Sequence, residues 1–260
     1  MQNNLFFSVI CPTFNSENFI EKNILSILSQ TYQNFEIIYS DDGSTDETIN
    51  IIKDYEKNFI DKKINIQILI NSHKGPGAAR NQGIKFSNYD WICFIDSDDQ
   101  WKEKKLEKVF NTINNFKDCN CVIHNEIFKK KNGNEVQFNY KAKFKKNKST
   151  FNQLFLNNFL STSSVSLKKK LIIDANFFDE ELANAQDYDL WLKIGDNFNF
   201  QFIDEFLGYY NERDNNITSR AYKNKIINLI KILKKNKRNV SRLNYYYKFF
   251  RILINKEWFK

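Results

Sequence analysis

The sequence predicts an α/β fold: a mostly parallel, doubly wound central sheet flanked by helices, with a basic helical extension at its C-terminal end. Three observations lead there. Over residues 8–95, apolar runs of strand length alternate with runs of helical spacing. Two clusters of aspartates, Asp41-Asp42 and Asp96 to Asp99, stand where the second and fourth strand-like runs end. Twelve Lys or Arg against one acid are gathered in residues 221–260.

Ser8-Val9-Ile10-Cys11 is a short apolar strand that Pro12 is expected to stop. From Glu17 to Gln30, Ile20, Ile24, Ile27 and Leu28 recur at helical spacing. Phe35 to Ser40 is a second strand. Ser44 and Glu47 have the spacing of a capping box, which predicts a helix starting there and running through Ile52 and Tyr55. Ile66 to Ile70 is a third strand. A glycine turn leads into a helix over Gly77 to Phe86, and Trp91 to Ile95 is a fourth strand. Strands joined by helices pair in parallel, and parallel sheets take ligands at the carboxyl ends of their strands. Both aspartate clusters fall at those ends.

After Leu106 the alternation changes. Cys121 to Asn125 reads as a strand, followed by a hairpin around Gly133 that sets Glu126–Lys131 against Glu135–Tyr140. A helix over Phe151–Phe159 leads to an extended Ser161–Leu167. A helix carries Asp187, two short strands span Phe200–Ile203 and Phe206–Tyr210, and basic helix follows from Tyr222.

The composition excludes several classes. Of 260 residues, 42% are hydrophobic, enough for a full core and unlike a disordered chain. No apolar run approaches the roughly 18–20 residues of a membrane span, and the first residues read as no secretory leader. Cys11, Cys93, Cys119 and Cys121 match no zinc spacing and are expected as reduced core residues of a cytoplasmic protein. The net charge of +8 is a tail of +11 on a body of −3, which is not the basic groove of a nucleic-acid enzyme.

The two carboxylates of Asp96-Ser97-Asp98 can face one site only in a turn, because a strand would send them to opposite sides. Oxygen ligands that leave positions open suit a divalent ion shared with substrate phosphates. Aspartates also serve as ordinary turn and cap residues. The EF-hand pattern is absent. Asp41-Asp42-Gly43-Ser44 is a capped helix start or a pair of acceptors for a base or ribose. Residues 71–83 hold three of the seven glycines before a helix N-terminus, a natural anion site, with Arg80 one turn in. Asp187 on a first helical turn either serves the helix dipole or acts as a general base. With His73 and His124 as the two histidines and no G-x-S-x-G, a Ser-His-Asp hydrolase is disfavoured.

Taken in order, these pieces resemble the family 2 glycosyltransferases, inverting enzymes of the GT-A fold, over about residues 6–215. The landmarks are Ser8 to Asn15, Leu28 to Tyr32, Asp41 to Asp46, Gly77 to Gly83, Asp96 to Asp99 and Asp187 to Leu192. The resemblance implies a nucleotide-diphosphate sugar donor, a UDP-sugar first of all. It implies that Pro12, Thr13 and Asn15 line the nucleoside pocket and that Asp42, with Asp41, accepts from the base. It sets Arg80 near base and diphosphate, Asp96 with Ser97 at ribose or sugar, and Asp98 on Mn²⁺ or Mg²⁺. Asp187 matches the base that deprotonates the acceptor hydroxyl. On that pattern residues 1–220 form the catalytic domain, with a donor half to about 105 and an acceptor half over 106–220. The implied acceptor is a glycan or a lipid-linked hydroxyl in bacterial surface polysaccharide or lipooligosaccharide synthesis.

Two departures stand out. Gln186 replaces the Glu that many relatives carry before the base. Arg213 stands near the slot of a His found after the last strand, where it is expected to meet the diphosphate as a fixed cation. Two rivals are a nucleotidyltransferase, which would carry a Gly-rich basic loop after the first strand, and a non-catalytic binding module, which would not use Asp187. For the tail two readings stand: an interfacial anchor on anionic lipid at the inner face of the cytoplasmic membrane, or helices packed back on the domain with a solvated Lys face.

Overall fold

In the computed structural model, which describes residues 5–212 and 222–254, a mixed sheet runs through the whole molecule. In chain order its strands are β1 (Phe7–Thr13), β2 (Phe35–Asp41), β3 (Asn65–Ile70), β4 (Trp91–Phe94), β5 (Gln100–Trp101), β6 (Cys121–Lys129), β7 (Glu135–Phe138), β8 (Val165–Lys168) and β9 (Phe200–Asn211). They lie in the order β3-β2-β1-β4-β8-β6-β9-β5, with β7 paired to β6. The first four are parallel to one another, β8 is antiparallel to β4 and β6, and β9 returns parallel to β6.

The helices are α1 (Ile20–Leu28), α2 (Thr48–Asp54), α3 (Glu56–Asp61), α4 (Pro76–Phe86), α5 (Lys105–Asn115), α6 (Tyr140–Lys143), α7 (Thr150–Leu156), α8 (Lys169–Asp174), α9 (Gln186–Ile194), α10 (Tyr222–Lys235) and α11 (Arg242–Ile254). Alternation along the strands sends neighbouring residues to opposite layers. Val9 and Cys11 pack with Ile20, Ile24 and Ile27 of α1, Ile52 of α2, Phe59 of α3 and Val109 of α5. Ile10, between them, belongs to the other core layer, which also holds Ile84 of α4, Leu154 of α7, Ile172 of α8, Trp191 of α9, Ile232 of α10 and Ile252 of α11. Gly83 is where α4 meets the sheet: a Cβ there would come within 2.6 Å of Ile10 Cγ2.

Four local expectations are corrected. β1 continues through Pro12 to Thr13. Its pairing with β4 ends at Ile10, so Pro12 has only β2 beside it and sits at an edge-like position where a missing N–H is tolerated. The capping box does not form: α2 begins at Thr48, and Ser44 Oγ donates to Asp41 Oδ1 instead. The two short strands after Phe200 are one strand, β9, whose register against β6 shifts on either side of Asn125. Residues 162–164 coil into one 3₁₀ turn before β8. The hairpin of β6 and β7 forms as expected, from Glu126↔Phe138 to Lys129↔Glu135. The four cysteines are buried and free. Among the described residues no helix is long and apolar enough to cross a membrane.

Candidate active site

The C-terminal ends of β1, β2 and β4 converge with the N-terminal ends of α4 and α9. At the end of β2, Asp41 is fully buried and fully answered. Thr13 Oγ1 and Ser44 Oγ donate to its Oδ1 (2.8 and 2.5 Å), and the amides of Gly43 and Ser44 donate to Oδ2 (3.0 and 2.7 Å). Asp42 accepts from the amides of Lys74 and Gly75 (2.8 and 3.1 Å to Oδ1), and His73 Nδ1 lies 2.8 Å from its Oδ2. Phe14 and His73 stack at 4.3 Å above this point. Asn15 holds a left-handed backbone (φ 46°), and its Oδ1 accepts the Thr45 amide at 2.9 Å. Thr13, Asn15, Asp41 and Asp42 thus surround one mouth. Pro12 is buried in the strand beneath it.

The end of β4 is built differently. Asp96 to Asp99 form a tight turn closed by the Asp99 amide on the Asp96 carbonyl (2.9 Å). Asn23 of α1 clamps the turn from below, its Nδ2 donating to the carbonyls of Asp96 and Asp99 (3.0 and 3.1 Å). Ser163 Oγ accepts from the Asp96 amide (3.0 Å) and donates to Asp99 Oδ2 (2.5 Å). Asn211 of β9 donates through Nδ2 to the Asp98 carbonyl (2.7 Å). Ser97 Oγ lies 2.8 Å from Ser16 Oγ. Burial, followed by the charges of Asp98, Asp96 and Glu126, pushes the Asp99 carboxyl well above the usual range.

Arg80 joins this turn to α9. Its guanidinium, almost wholly buried, meets Asp96 Oδ1 at 2.6 Å and lies 5.5 Å from the centre of the Phe178 ring. Burial alone would lower its pKa; Asp96 and then Asp187 outweigh that and raise it. Asp187, partly buried on the first turn of α9, is raised by burial and then held back by Arg80. Two features set it there. Ala185 adopts a left-handed φ of 58° just before the helix, a conformation costly for a residue with a Cβ. Gly77 lets α4 approach, since a Cβ there would stand 3.2 Å from Gln186 Cγ. Gln186 is structural, donating through Nε2 to the Leu182 carbonyl at 2.7 Å. Arg213 lies outside the described residues.

The model of glycosyl transferase family 2 matches residues 8–174, and an uncharacterised glycosyltransferase of Methanocaldococcus jannaschii is 32% identical over 253 residues, 94% of this chain and 84% of that one. The chain belongs to glycosyl transferase family 2. It is a glycosyltransferase, and the α/β architecture is that of the GT-A enzymes. An Escherichia coli relative named UDP-Glc:alpha-D-GlcNAc-diphosphoundecaprenol beta-1,3-glucosyltransferase WfgD is 31% identical over 188 residues, 72% of this chain and 68% of that one. Among solved structures, Staphylococcus aureus TarS 1–349 with UDP-GlcNAc superposes with a TM-score of 0.74 at 23% identity, covering 96% of this chain and 72% of that one. A longer TarS chain is matched over 43% of its length. The mannosyltransferase PcManGT of Pyrobaculum calidifontis, solved with GDP-Man and Mn²⁺, gives 0.67 at 15% identity over 97% and 71%. At these identities both structures show the fold alone.

Among the described residues no three side chains converge into a ready-made metal cage. A divalent ion shared with substrate phosphates is held by one or two protein carboxylates. The β4 turn fits the requirement: it gathers Asp96, Asp98 and Asp99, burial and then the charges of its neighbours raise the Asp99 carboxyl, and Arg80, the buried cation that touches the turn, is engaged by Asp96. The parts played by Asn23, Ser163 and Asn211 do not show in the sequence. Asn23 leaves one signal, a polar residue inside the buried stripe Ile20, Ile24 and Ile27.

Proposed function

We propose that this glycosyltransferase moves a hexosyl or N-acetylhexosaminyl group from a UDP-sugar to a hydroxyl of a lipid-linked glycan, by single displacement with inversion. The observation that carries the reading is Arg80: one buried guanidinium touches the β4 turn at Asp96 and lies in the field of Asp187. In this reading the diphosphate site and the base face one cleft. The acceptor class follows the diphosphoundecaprenol substrate in the name of the Escherichia coli relative.

In this reading Thr13, Asn15 and the Asp42 loop seat the nucleoside, with Phe14 offering its exposed ring to the base. Asp41 shapes that mouth from beneath. Asp98, aided by Asp96, would hold Mn²⁺ or Mg²⁺, which when bound neutralises charge on the leaving diphosphate. Arg80 fixes Asp96 and adds positive potential beside the leaving group. Asp187 takes the proton of the acceptor hydroxyl while that oxygen bonds the anomeric carbon. The bond from that carbon to the diphosphate oxygen breaks on the opposite face, and its electron pair leaves with the nucleotide. Burial makes Asp187 a stronger base than a solvated carboxylate, and Arg80 opposes that rise.

The test is Asp187→Asn, assayed with a panel of UDP-sugars, Mn²⁺ and a diphospholipid-linked sugar acceptor. Turnover should fall by about 10²- to 10⁴-fold with UDP affinity kept. Full turnover in the variant overturns the assignment of the base, and wild-type transfer from other nucleotide sugars alone overturns the donor.

A further inference from the structure

We propose that the outer face of α11 is a docking surface for an anionic phospholipid bilayer. The helix is apolar on two sides. Its inner side, Tyr245, Phe249 and Ile252, packs on the core beside α7 and α10. Its outer side carries Leu243, Tyr246, Tyr247, Phe250, Leu253 and Ile254, each between 49% and 80% exposed. Their spacing of i, i+3, i+4, i+7, i+10 and i+11 makes them one continuous stripe. A helix apolar all round belongs in an interior, and here the described residues cover only one side. The helices pack back on the domain, α10 with Lys231, Lys234 and Lys235 in solvent, but the solvent face of α11 is not a lysine face.

Charge selects the occupant. Residues 222–254 contain ten Lys or Arg and no acid. Lys234, Lys237, Arg238 and Arg242 are exposed around the turn from α10 to α11, at the start of the stripe. Aromatic and aliphatic side chains flanked by cations match the boundary between anionic headgroups and acyl chains. A second copy docked on the same face would bring like charges together.

The surface also bears on the site. Lys248, on the inner side of α11, lies 5.3 Å from the ring centre of Tyr188, the neighbour of Asp187. Lys235 of α10 bonds Asp179 and lies 3.5 Å from Asp189 of α9, and Asn228 donates to Asn184 (3.2 Å). A bilayer on α11 would thus lie about one helix diameter from the helix that carries the base. This inference deepens the proposed function, on which the nature of the acceptor rests.

Flotation of the full chain with phosphatidylcholine vesicles, with and without phosphatidylglycerol, tests it. Wild type should float with the anionic vesicles about tenfold more than with the neutral ones. The exposed-face variant Leu243→Ser/Phe250→Ser/Leu253→Ser should lose about tenfold, and Lys234→Glu/Arg238→Glu should lose the preference for phosphatidylglycerol. Light scattering of the same proteins follows self-association. No flotation, equal flotation of the triple variant, or a dimer that the triple variant dissolves overturns the proposal. A wild-type protein that transfers sugar but does not float sinks this inference alone; one that floats but does not transfer sinks the catalytic reading alone.

Discussion

The tips of β2 and β4 carry the same residue type and treat it in opposite ways. At β2, every carboxylate oxygen of Asp41 meets N–H or O–H donors within 3.0 Å, from β1 and from the loop it shapes. At β4, burial and then the neighbouring aspartates raise the proton affinity of Asp99, and of Cys11 beneath the turn. Asn23 and the Asn211 side chain fix that turn through its backbone carbonyls, and the Ser163 hydroxyl and Asn211 amide donate to Asp99 without cancelling its rise. A carboxylate satisfied by its own loop is architecture. Buried carboxylates crowded at one turn favour the arrival of a divalent cation.

Substitution at the two tips should separate these roles. Asp98→Asn removes a charge from the β4 turn with little change in volume. Mn²⁺-dependent sugar transfer should fall by roughly 10³-fold, the scale of lost electrostatic stabilisation of a leaving group. The urea midpoint should hold or rise, because one like charge has gone. Asp41→Asn should do the reverse. The new amide would keep its oxygen on the Gly43 and Ser44 N–H groups and turn its nitrogen to the Thr13 and Ser44 hydroxyls, which must reverse their donation; losing the charge from four buried hydrogen bonds should cost about 1–3 kcal/mol in urea unfolding. A variant at Asp41 that is fully stable but blind to UDP would break the comparison, since the β2 tip would then also be a ligand contact.

Much of this contrast is legible in the amino-acid sequence alone. The parallel strands and α4 announce themselves because each is an unbroken apolar run or a glycine-punctuated stripe. Both acidic tips follow from where those runs stop. Hidden are features that depend on partners far along the chain. Asn23, Ser163 and Asn211 reach the β4 turn from α1, the loop before β8 and the end of β9, and no local pattern links them. The helix α5 escapes a reading by periodicity although Leu106, Val109 and Ile113 keep its period, because lysines and asparagines dilute the stripe. The capping box fails for an electrostatic reason: Asp41 is a stronger acceptor for Ser44 than the competing geometry offers. In α11 two apolar faces overlap in one sequence, so periodicity alone does not show which is covered.

The smallest effect concerns the charge behind the β4 turn. Glu126 on β6 is buried and takes the Tyr140 hydroxyl at 2.6 Å. Burial pushes its carboxyl up to about 7, Tyr140 and Ser161 opposing, with Asp96 adding to the rise and Lys105 resisting it. Lys105 is itself lowered to about 8 by burial, so this region holds its charges reluctantly. The folded protein therefore keeps a proton on Glu126 between about pH 4.5 and pH 7, where the unfolded chain has released it. Stability from this group is complete below the lower value and declines as pH rises to the upper one, by on the order of 1–3 kcal/mol. Urea midpoints taken across that window should slope downward in wild type and flatten in Glu126→Gln. Asp99, raised in the same direction, would leave a residual slope. Identical slopes in the two proteins would mean that Glu126 is ionised throughout, and that the acidic field of the β4 tip stops short of β6.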